Sequence, residues 1–298
     1  MRLTFKTNFE GLARCVFFLL LSAGYAAAQD SPAPQDTTQQ KPQSESSAPS
    51  PDQNQTTNEI TAVPNRPTFS TTAEAVQRGV FEIEYGIELA DGHQNINGLL
   101  KFGIFKNLEL RFGNNPFERD SGIAGIGDSG AGFKYRMISE AAGLLPTISV
   151  LYTVAIPTST GAPGIGAVGH GVDLLVSKDF GKHHFDVNEG VHLLGRPGTG
   201  GYDRTYFSAL DYSHPLTQKW GWTAEIAGFS RANAATPATM TLLFAATYNV
   251  SSRLVLDGGE YTAVYGNLPR VTFFTGVTYS VADLYHLHRA SQAAGKRP

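Results

Sequence analysis

A single cysteine, Cys15, is all the thiol chemistry in 298 residues. It lies in an N-terminal leader, so the processed chain has neither disulfides nor a thiol nucleophile. Charge of one sign is also lacking. With 23 Lys and Arg against 26 Asp and Glu, the formal charge is −3, and no basic excess exists for a phosphate backbone; nucleic acid is excluded as a partner. Long apolar runs are scarce. Only one occurs, near the N-terminus, and a mean hydropathy of −0.16 excludes a bundle of membrane helices, each of which needs ~20 apolar residues. The eight histidines show no H-E-x-x-H spacing; His183-His184 lie at a turn and His286 and His288 in a tail, so no metal site is expected. What is abundant is glycine, 32 residues, alongside 11% aromatics.

Arg2, Lys6 and Arg14 precede the apolar run Cys15 to Tyr25, which is followed by Ala26-Ala27-Ala28. That order describes a secretory signal peptide over residues 1–28, cleaved between Ala28 and Gln29, with an apolar core too short to span a bilayer. Cys15 stands ahead of that core rather than at the cleavage point, which argues against lipidation. Removing Arg2, Lys6, Arg14 and Glu10, which together carry +2, takes the net charge from −3 to −5. Residues 29–65 are rich in Pro, Gln, Ser and Thr and have almost no large apolar side chain before Ile60. Such a stretch cannot bury enough apolar area to offset chain entropy, so it is expected to be a disordered periplasmic linker.

From Gly79 onward every second residue is apolar, the period of a strand with one face in an apolar medium. Phe81, Ile83, Tyr85, Ile87 and Leu89 alternate with Glu82, Glu84, Gly86 and Glu88. The same pattern runs through Leu108 to Phe112, Phe133 to Met137 and Ile148 to Ile156. Strands are expected near 79–90, 97–105, 107–114, 126–138, 146–157, 169–180, 183–195, 204–214, 219–230, 239–249, 252–260 and 269–281. An even number of about twelve, mostly of the ~9–11 residues that a tilted transmembrane strand needs, predicts an all-β, antiparallel outer-membrane β-barrel. Proline tests this, because inside a paired strand it deletes a ladder bond; Pro116, Pro146, Pro157, Pro163, Pro197, Pro215, Pro237 and Pro269 all fall at expected strand ends or between strands. The connections alternate short and long, as short periplasmic turns and longer extracellular loops do. Lys106-Asn107, Gly181-Lys182, residues 215–218 and Val250-Ser251 are short; residues 115–125, 158–168, 195–203, 230–238 and 261–268 are long. Residues 91–96 and 139–145 depart from the alternation.

An exported β-sandwich would also alternate, but would not carry so many large apolar groups with so few charges outside them. Tyr85, Tyr135, Trp220, Trp222, Tyr248 and Tyr279 are read as membrane-interface aromatics. Lys178 and Glu189 fall on the lipid face in this register and mark strand ends or bulges.

The opposite face gives the candidate lumen-lining residues. Glu82, Glu84 and Glu88 meet a basic group of Lys101, Arg111, Lys134 and Arg136, with Glu109 among them; Asp173, Asp186, His192, Asp211 and Glu225 continue round the wall. Counting from the short turns places Glu109 near Arg136 and Arg111 near Lys134. Such a wall either orients solutes in a transverse field or pairs its charges for stability. A barrel of about twelve strands lies between the filled ~8-strand and open ~16-strand cases, so a narrow or plugged lumen is expected.

Two segments fit G-x-G-x-x-G, Gly125 to Gly130 and Gly164 to Gly169, but both lead into strand pattern rather than a helix, so no nucleotide cofactor is expected. Ser208 and His192 lie on adjacent expected strands without sharing the outer face, so neither is assigned a catalytic role.

Asn65 to Thr72 leading into Gly79 to Gly86, then Gly103 to Gly113, Gly125 to Arg136, Ala155 to Gly161 and Gly276 to Ser280, resemble the outer-membrane transporter family named for the meta-pathway of phenol degradation. The resemblance implies a barrel that passes small, often hydrophobic or aromatic, molecules. The chain departs from it in the long linker and in the tail 284–298, since such barrels often end on an aromatic residue; Phe273, Phe274 and Tyr279 are internal candidates for that assembly signal. The expectation is a barrel over 66–283 in the Gram-negative outer membrane, without cofactor or covalent chemistry. Its expected partners are outer-membrane lipid, the barrel-assembly machinery and a small-molecule solute. A closed barrel acting through its loops or linker is the second reading, and a lipid-modifying enzyme the third.

Overall fold

A computed structural model describes residues 59–141, 143–162 and 164–288. The signal peptide, its cleavage point, linker residues 29–58 and tail residues 289–298 lie outside the described residues.

The period-2 segments all become strands: β1 (Val80–Ala90), β2 (His93–Phe105), β3 (Leu108–Asp120), β4 (Ile123–Gly125), β5 (Ser129–Ile138), β6 (Thr147–Ile156), β7 (Gly169–Phe180), β8 (His183–Gly195), β9 (Tyr202–Pro215), β10 (Trp220–Phe229), β11 (Thr239–Ser251), β12 (Leu254–Tyr265) and β13 (Val271–Asp283). Each long strand pairs antiparallel with its neighbour, β1 pairs with β13, and the β2–β3 pairing completes the circle. The result is a closed barrel of twelve long strands; β4, only 3 residues, folds back on the far end of β3. Closure gives each long strand a partner on both sides, which is what lets a sheet cross lipid. A β-sandwich is thereby ruled out.

Val80 and Asp283 pair in register, so the wall begins and ends at one rim. That rim also holds the short connections 106–107, 181–182, 216–219 and 252–253, and the longer 139–146. The opposite rim holds 126–128, 157–168, 196–201, 230–238 and 266–270. The first connection at that rim is tighter than expected: β1 and β2 join through Asp91-Gly92 alone, with Gly92 at φ 71°, so residues 93–96 belong to β2. Most of the expected long loop 115–125 is likewise strand, because β3 runs on to Asp120 and β4 pairs with it. Pro116 therefore sits inside β3, contrary to expectation. It is tolerated there because the β2–β3 register skips beside it, from Gly98↔Asn114 to Ile96↔Phe117, and no ladder bond is asked of it.

The outer face is apolar. Ile87, Phe112, Val172, Leu210, Phe244, Leu256 and Phe273 are all more than a third exposed, a band that is costly in water and at home in lipid. Trp220 and Tyr248, ring centroids 4.7 Å apart, and Trp222, Tyr135 and Tyr279 lie near the short-turn rim. Tyr85 does not: it is mid-strand, its ring covering Gly98 and its hydroxyl donating to Asn114 Oδ1 at 3.3 Å. Lys178 resolves as a strand-end residue whose Nζ meets Glu140 Oε1 at 2.7 Å, reached from the 139–146 connection. Glu189 is no strand end. It faces outward mid-strand and accepts from Ser208 Oγ at 2.7 Å.

Candidate functional site

The wall begins at Val80, not at residue 66, and residues 59–79 form no strand of the barrel. They lie within its lumen. Expected linker residues 59–65 are part of the same ordered segment, so both boundaries are corrected. Their amino acids explain the difference: Ile60, Ala62, Val63, Ala73, Ala75 and Val76 supply apolar area that residues 29–58 do not have.

The segment enters at the short-turn rim, where Ala62 N donates to Ser252 O at 2.8 Å. It climbs past β1, turns over at residues 66–71, descends past β7 and β5, and reaches β1 through Gly79. Gln77 closes the neck of this loop: its Oε1 accepts from Thr61 N at 2.9 Å and its Nε2 donates to Glu59 O at 3.1 Å. Ile60, Val76 and Val80 pack together beneath.

A chain inside a lumen has no neighbouring strand to satisfy its amides, and each unpaired one carries a desolvation penalty of ~1–3 kcal/mol. The wall side chains supply the partners. Glu82 accepts from Val63 N at 2.9 Å, Glu84 from the amides of Asn65 and Arg66, and Glu225 from those of Phe69 and Ser70 at 2.9 and 2.7 Å. Ser177 Oγ accepts from Ala73 N and Glu109 from Val76 N. In the other direction Lys101 donates to Val63 O, Lys134 to Thr72 O and Ser149 to Ala73 O. Asn188 does both, accepting from Thr71 N at 2.7 Å and donating to Thr71 O at 3.0 Å. Side-chain contacts are fewer: Arg66 reaches Asp257 at 3.3 Å and Asn97 at 2.6 Å, and Glu74 pairs with Arg136 and accepts from Thr147 at 2.7 Å.

The inward alternation carries Glu82, Glu84, Glu88, Lys101, Glu109, Arg111, Lys134, Arg136, Asp173, Asp186, His192, Asp211 and Glu225 to the interior face, but few of them meet a water-filled pore. Glu84, Lys101, Glu109, Lys134, Ser149, Ser177, Asn188, Asp211, Glu225, Leu243, Asp257 and Thr278, one from each long strand, are each 6% exposed or less. Water is excluded all the way round at that level. The charges instead pair among themselves and with the segment. Lys101 lies between Glu82 and Glu84, and Asp173 meets His192 at 2.8 Å. Asp186, paired in register with Asp211, is bonded to Ser177 and His184; Asp211 accepts from Thr223.

Both expected pairings, Glu109 with Arg136 and Arg111 with Lys134, are corrected. Glu109 lies against Lys134 at 3.6 Å and Arg111 at 3.3 Å, because β3 and β5 pair Glu109↔Lys134 and Arg111↔Gly132, while Arg136 binds Glu74. The two strands are joined through the long-loop rim and β4, so no tight turn fixes a register to count from.

Above the segment, toward the long-loop rim, a cavity of about 320 Å³ is bounded below by Arg66, Thr68 and Phe69 and around by Glu88, Asn97, Arg111, Tyr261 and Phe274. Phe69 meets the Tyr261 ring edge-on at 5.0 Å, and Tyr261 stacks toward Phe274 at 6.3 Å. Glu88 accepts from Asn97 and Tyr261.

Sequence reasoning missed Arg66, Glu74, Asn97, Ser177, Asn188, Asp257 and Tyr261. A usable signal was the excess of inward acids over inward bases, which implies amide or cationic partners from elsewhere in the chain. Neither glycine-rich motif opens a helix: β5 follows the first and β7 starts at the end of the second. His192 points inward to Asp173 while Ser208 faces outward to Glu189, so the two share no site.

No protein-family profile matches this chain, and no curated relative does. Solved structures do. An outer membrane channel from Pseudomonas putida F1 aligns over 72% of this chain and 99% of its own at 12% identity, with a TM-score of 0.54. The NanC porin aligns over 67% and 100% at 10% identity with a TM-score of 0.51, and the KdgM porin over 67% and 99% at 9% with 0.50. At these identities the likeness is one of fold: this chain has the closed barrel of outer-membrane porins and channels.

Proposed function

We propose that this protein is an outer-membrane channel for small molecules, held shut at its short-turn end by residues 59–78. The observation that carries the reading is the buried ring, with a buried inward side chain on every long strand, many of them bonded to the segment, and a cavity above it. The long-loop rim faces the exterior and the short-turn rim the periplasm, as in barrels of this class. A solute entering from outside reaches a floor of Phe69, Tyr261 and Phe274 beside Arg111 and Glu88. That mixture suits a small molecule with an apolar or aromatic body and one polar group. Passage then requires the segment to shift, since it fills the lumen at the level where an inward side chain of every long strand is buried.

Single-channel conductance in planar bilayers tests this. The mature chain should show rare, small steps, and an Arg66→Ala/Glu74→Ala variant, which loses both ion pairs of the segment, should open often; Arg111→Glu should alter the ion selectivity of those steps. A folded variant no more conductive than its parent would sink the channel reading. The same buried ring favours a second reading, a permanently closed barrel that works through its loops, and that outcome would select it.

A further inference from the structure

The lumen grips its segment mainly by the backbone. Eight segment amides, those of Val63, Asn65, Arg66, Phe69, Ser70, Thr71, Ala73 and Val76, donate to wall side chains. Four segment carbonyls, those of Val63, Thr71, Thr72 and Ala73, accept from Lys101, Asn188, Lys134 and Ser149. A side-chain amide offers the same donor and acceptor as a peptide group, so Asn188 pairs with Thr71 as a strand residue would. Contacts that read segment side chains are fewer: Asp257 and Asn97 take the Arg66 cation, Arg136 and Thr147 take the Glu74 carboxylate, and Glu84, Ser177 and Tyr261 meet the side chains of Asn65, Thr72 and Phe69. A surface that pairs with main-chain groups is indifferent to most side chains, and its selectivity rests on the pockets it adds.

From this we propose that the lumen is a binding site for oligopeptides that enter as a folded-back loop, and that residues 59–78 occupy it as an internal competitor. The ligand class is an unmodified peptide backbone, best with a cationic residue some eight positions before an acidic one, the spacing of Arg66 and Glu74. The wall groups stay on the barrel when the segment leaves: Glu82, Glu84, Glu109 and Glu225 then seek amide donors, and Lys101 and Lys134 seek acceptors. An unpaired buried polar group is costly, which disfavours an empty lumen and favours exchange of one peptide for another. The proposal rests on the channel reading, because a ligand must reach the lumen, and it extends that reading from small solutes to peptides.

The test measures binding of fluorescent synthetic peptides to the full mature chain in nanodiscs, the parent beside Arg66→Ala/Glu74→Ala. Should the double variant fail to form a barrel, Thr71→Pro serves, since it removes one segment amide and leaves the wall intact. Four probes are used: a peptide of residues 60–77, a peptide of equal length and unrelated sequence keeping the two charges at their spacing, the first peptide N-methylated at alternate residues, and a dextran of similar length. Saturable binding of both unmodified peptides, at least about tenfold tighter to the variant than to the parent and weakened about tenfold or more by N-methylation, is the expected result. Binding of the 60–77 peptide alone would mean a lumen private to its own segment and would overturn the proposal. So would dextran binding as tight as peptide, or no binding by a folded variant. Conductance of the same preparation separates the two readings: a variant that conducts but binds no peptide overturns only the peptide site, and one that binds peptide without conducting overturns the channel.

Discussion

The guanidinium of Arg66 lies flat on a patch of barrel wall made by Gly86 and Gly276, which pair directly across β1 and β13. A Cβ at either glycine would overlap it. The missing side chains therefore make room for a cation that belongs to the segment, and the wall and the segment are fitted to each other at this point.

Gly86→Ala should consequently displace Arg66 from Asp257 and Asn97 while leaving the β1 ladder paired. Loss of a charge-assisted contact of this kind amounts to about 2 kcal/mol, enough to loosen the segment without unfolding the barrel. Limited digestion with a nonspecific protease should then cut within residues 59–78 markedly faster than in the parent. Unchanged protection would mean that Arg66 does not anchor the segment.

Lys101 offers a harsher experiment. It is the cation between Glu82 and Glu84, with all three side chains essentially removed from water. Lys101→Met leaves two buried carboxylates facing each other, and removing one partner of a buried pair typically costs about 3–5 kcal/mol. The temperature at which the folded band gives way to the unfolded one on gel electrophoresis should fall clearly, with partial recovery when Glu82→Gln is added. If Lys101→Met matched its parent, the buried triad would not be holding this side of the barrel.

Much of this architecture was legible in the chain itself. The expected β7 and β8 coincide with the observed strands, residues 169–180 and 183–195, because period-2 alternation runs through both, broken on the outer face only at Lys178 and Glu189, and Gly181-Lys182 punctuates it. The inward assignment of Glu82, Lys101, Glu109 and Lys134 followed from the same parity, since a strand has only two faces. What that parity could not show is what fills the inside. Residues 59–79 have no period of their own, as their partners are side chains on distant strands, Arg66 bonding Asp257 from 191 positions away. Inter-strand register across the long-loop rim was hidden for a related reason: β3 meets β5 through an excursion that sequence does not measure, so Glu109 was set against Arg136 instead of Lys134.

Asn188 bears on function more than on stability. It holds Thr71 at the top of the segment by both its amide N–H and its carbonyl. Replacing it with Leu removes both bonds at once, a loss of roughly 1–2 kcal/mol. The segment's in-and-out equilibrium should shift by about tenfold, seen as more frequent openings in single-channel records. Asn188→Asp keeps the acceptor and drops the donor, so its opening frequency should fall between the two. An Asn188→Leu barrel as quiet as the parent would show that the top of the segment does not control opening.

Glu189 stands apart from this network, on the lipid face of β8, hydrogen-bonded to Ser208 of β9 and flanked along its own strand by the outward Val187 and Val191. A carboxyl in an apolar band is unfavourable there, and the Ser208 hydroxyl offsets only part of the cost. Glu189→Leu should therefore raise the thermal midpoint of the barrel in lipid, by an amount equivalent to roughly 1 kcal/mol, whereas Ser208→Ala, which strips the acid of its partner, should lower it. The two changes should not add, because the leucine removes the group that Ser208 serves; the double variant should match Glu189→Leu within a few tenths of a kcal/mol. A drop in midpoint on Glu189→Leu would contradict this account and show that the carboxyl is held by something more than its neighbouring strand.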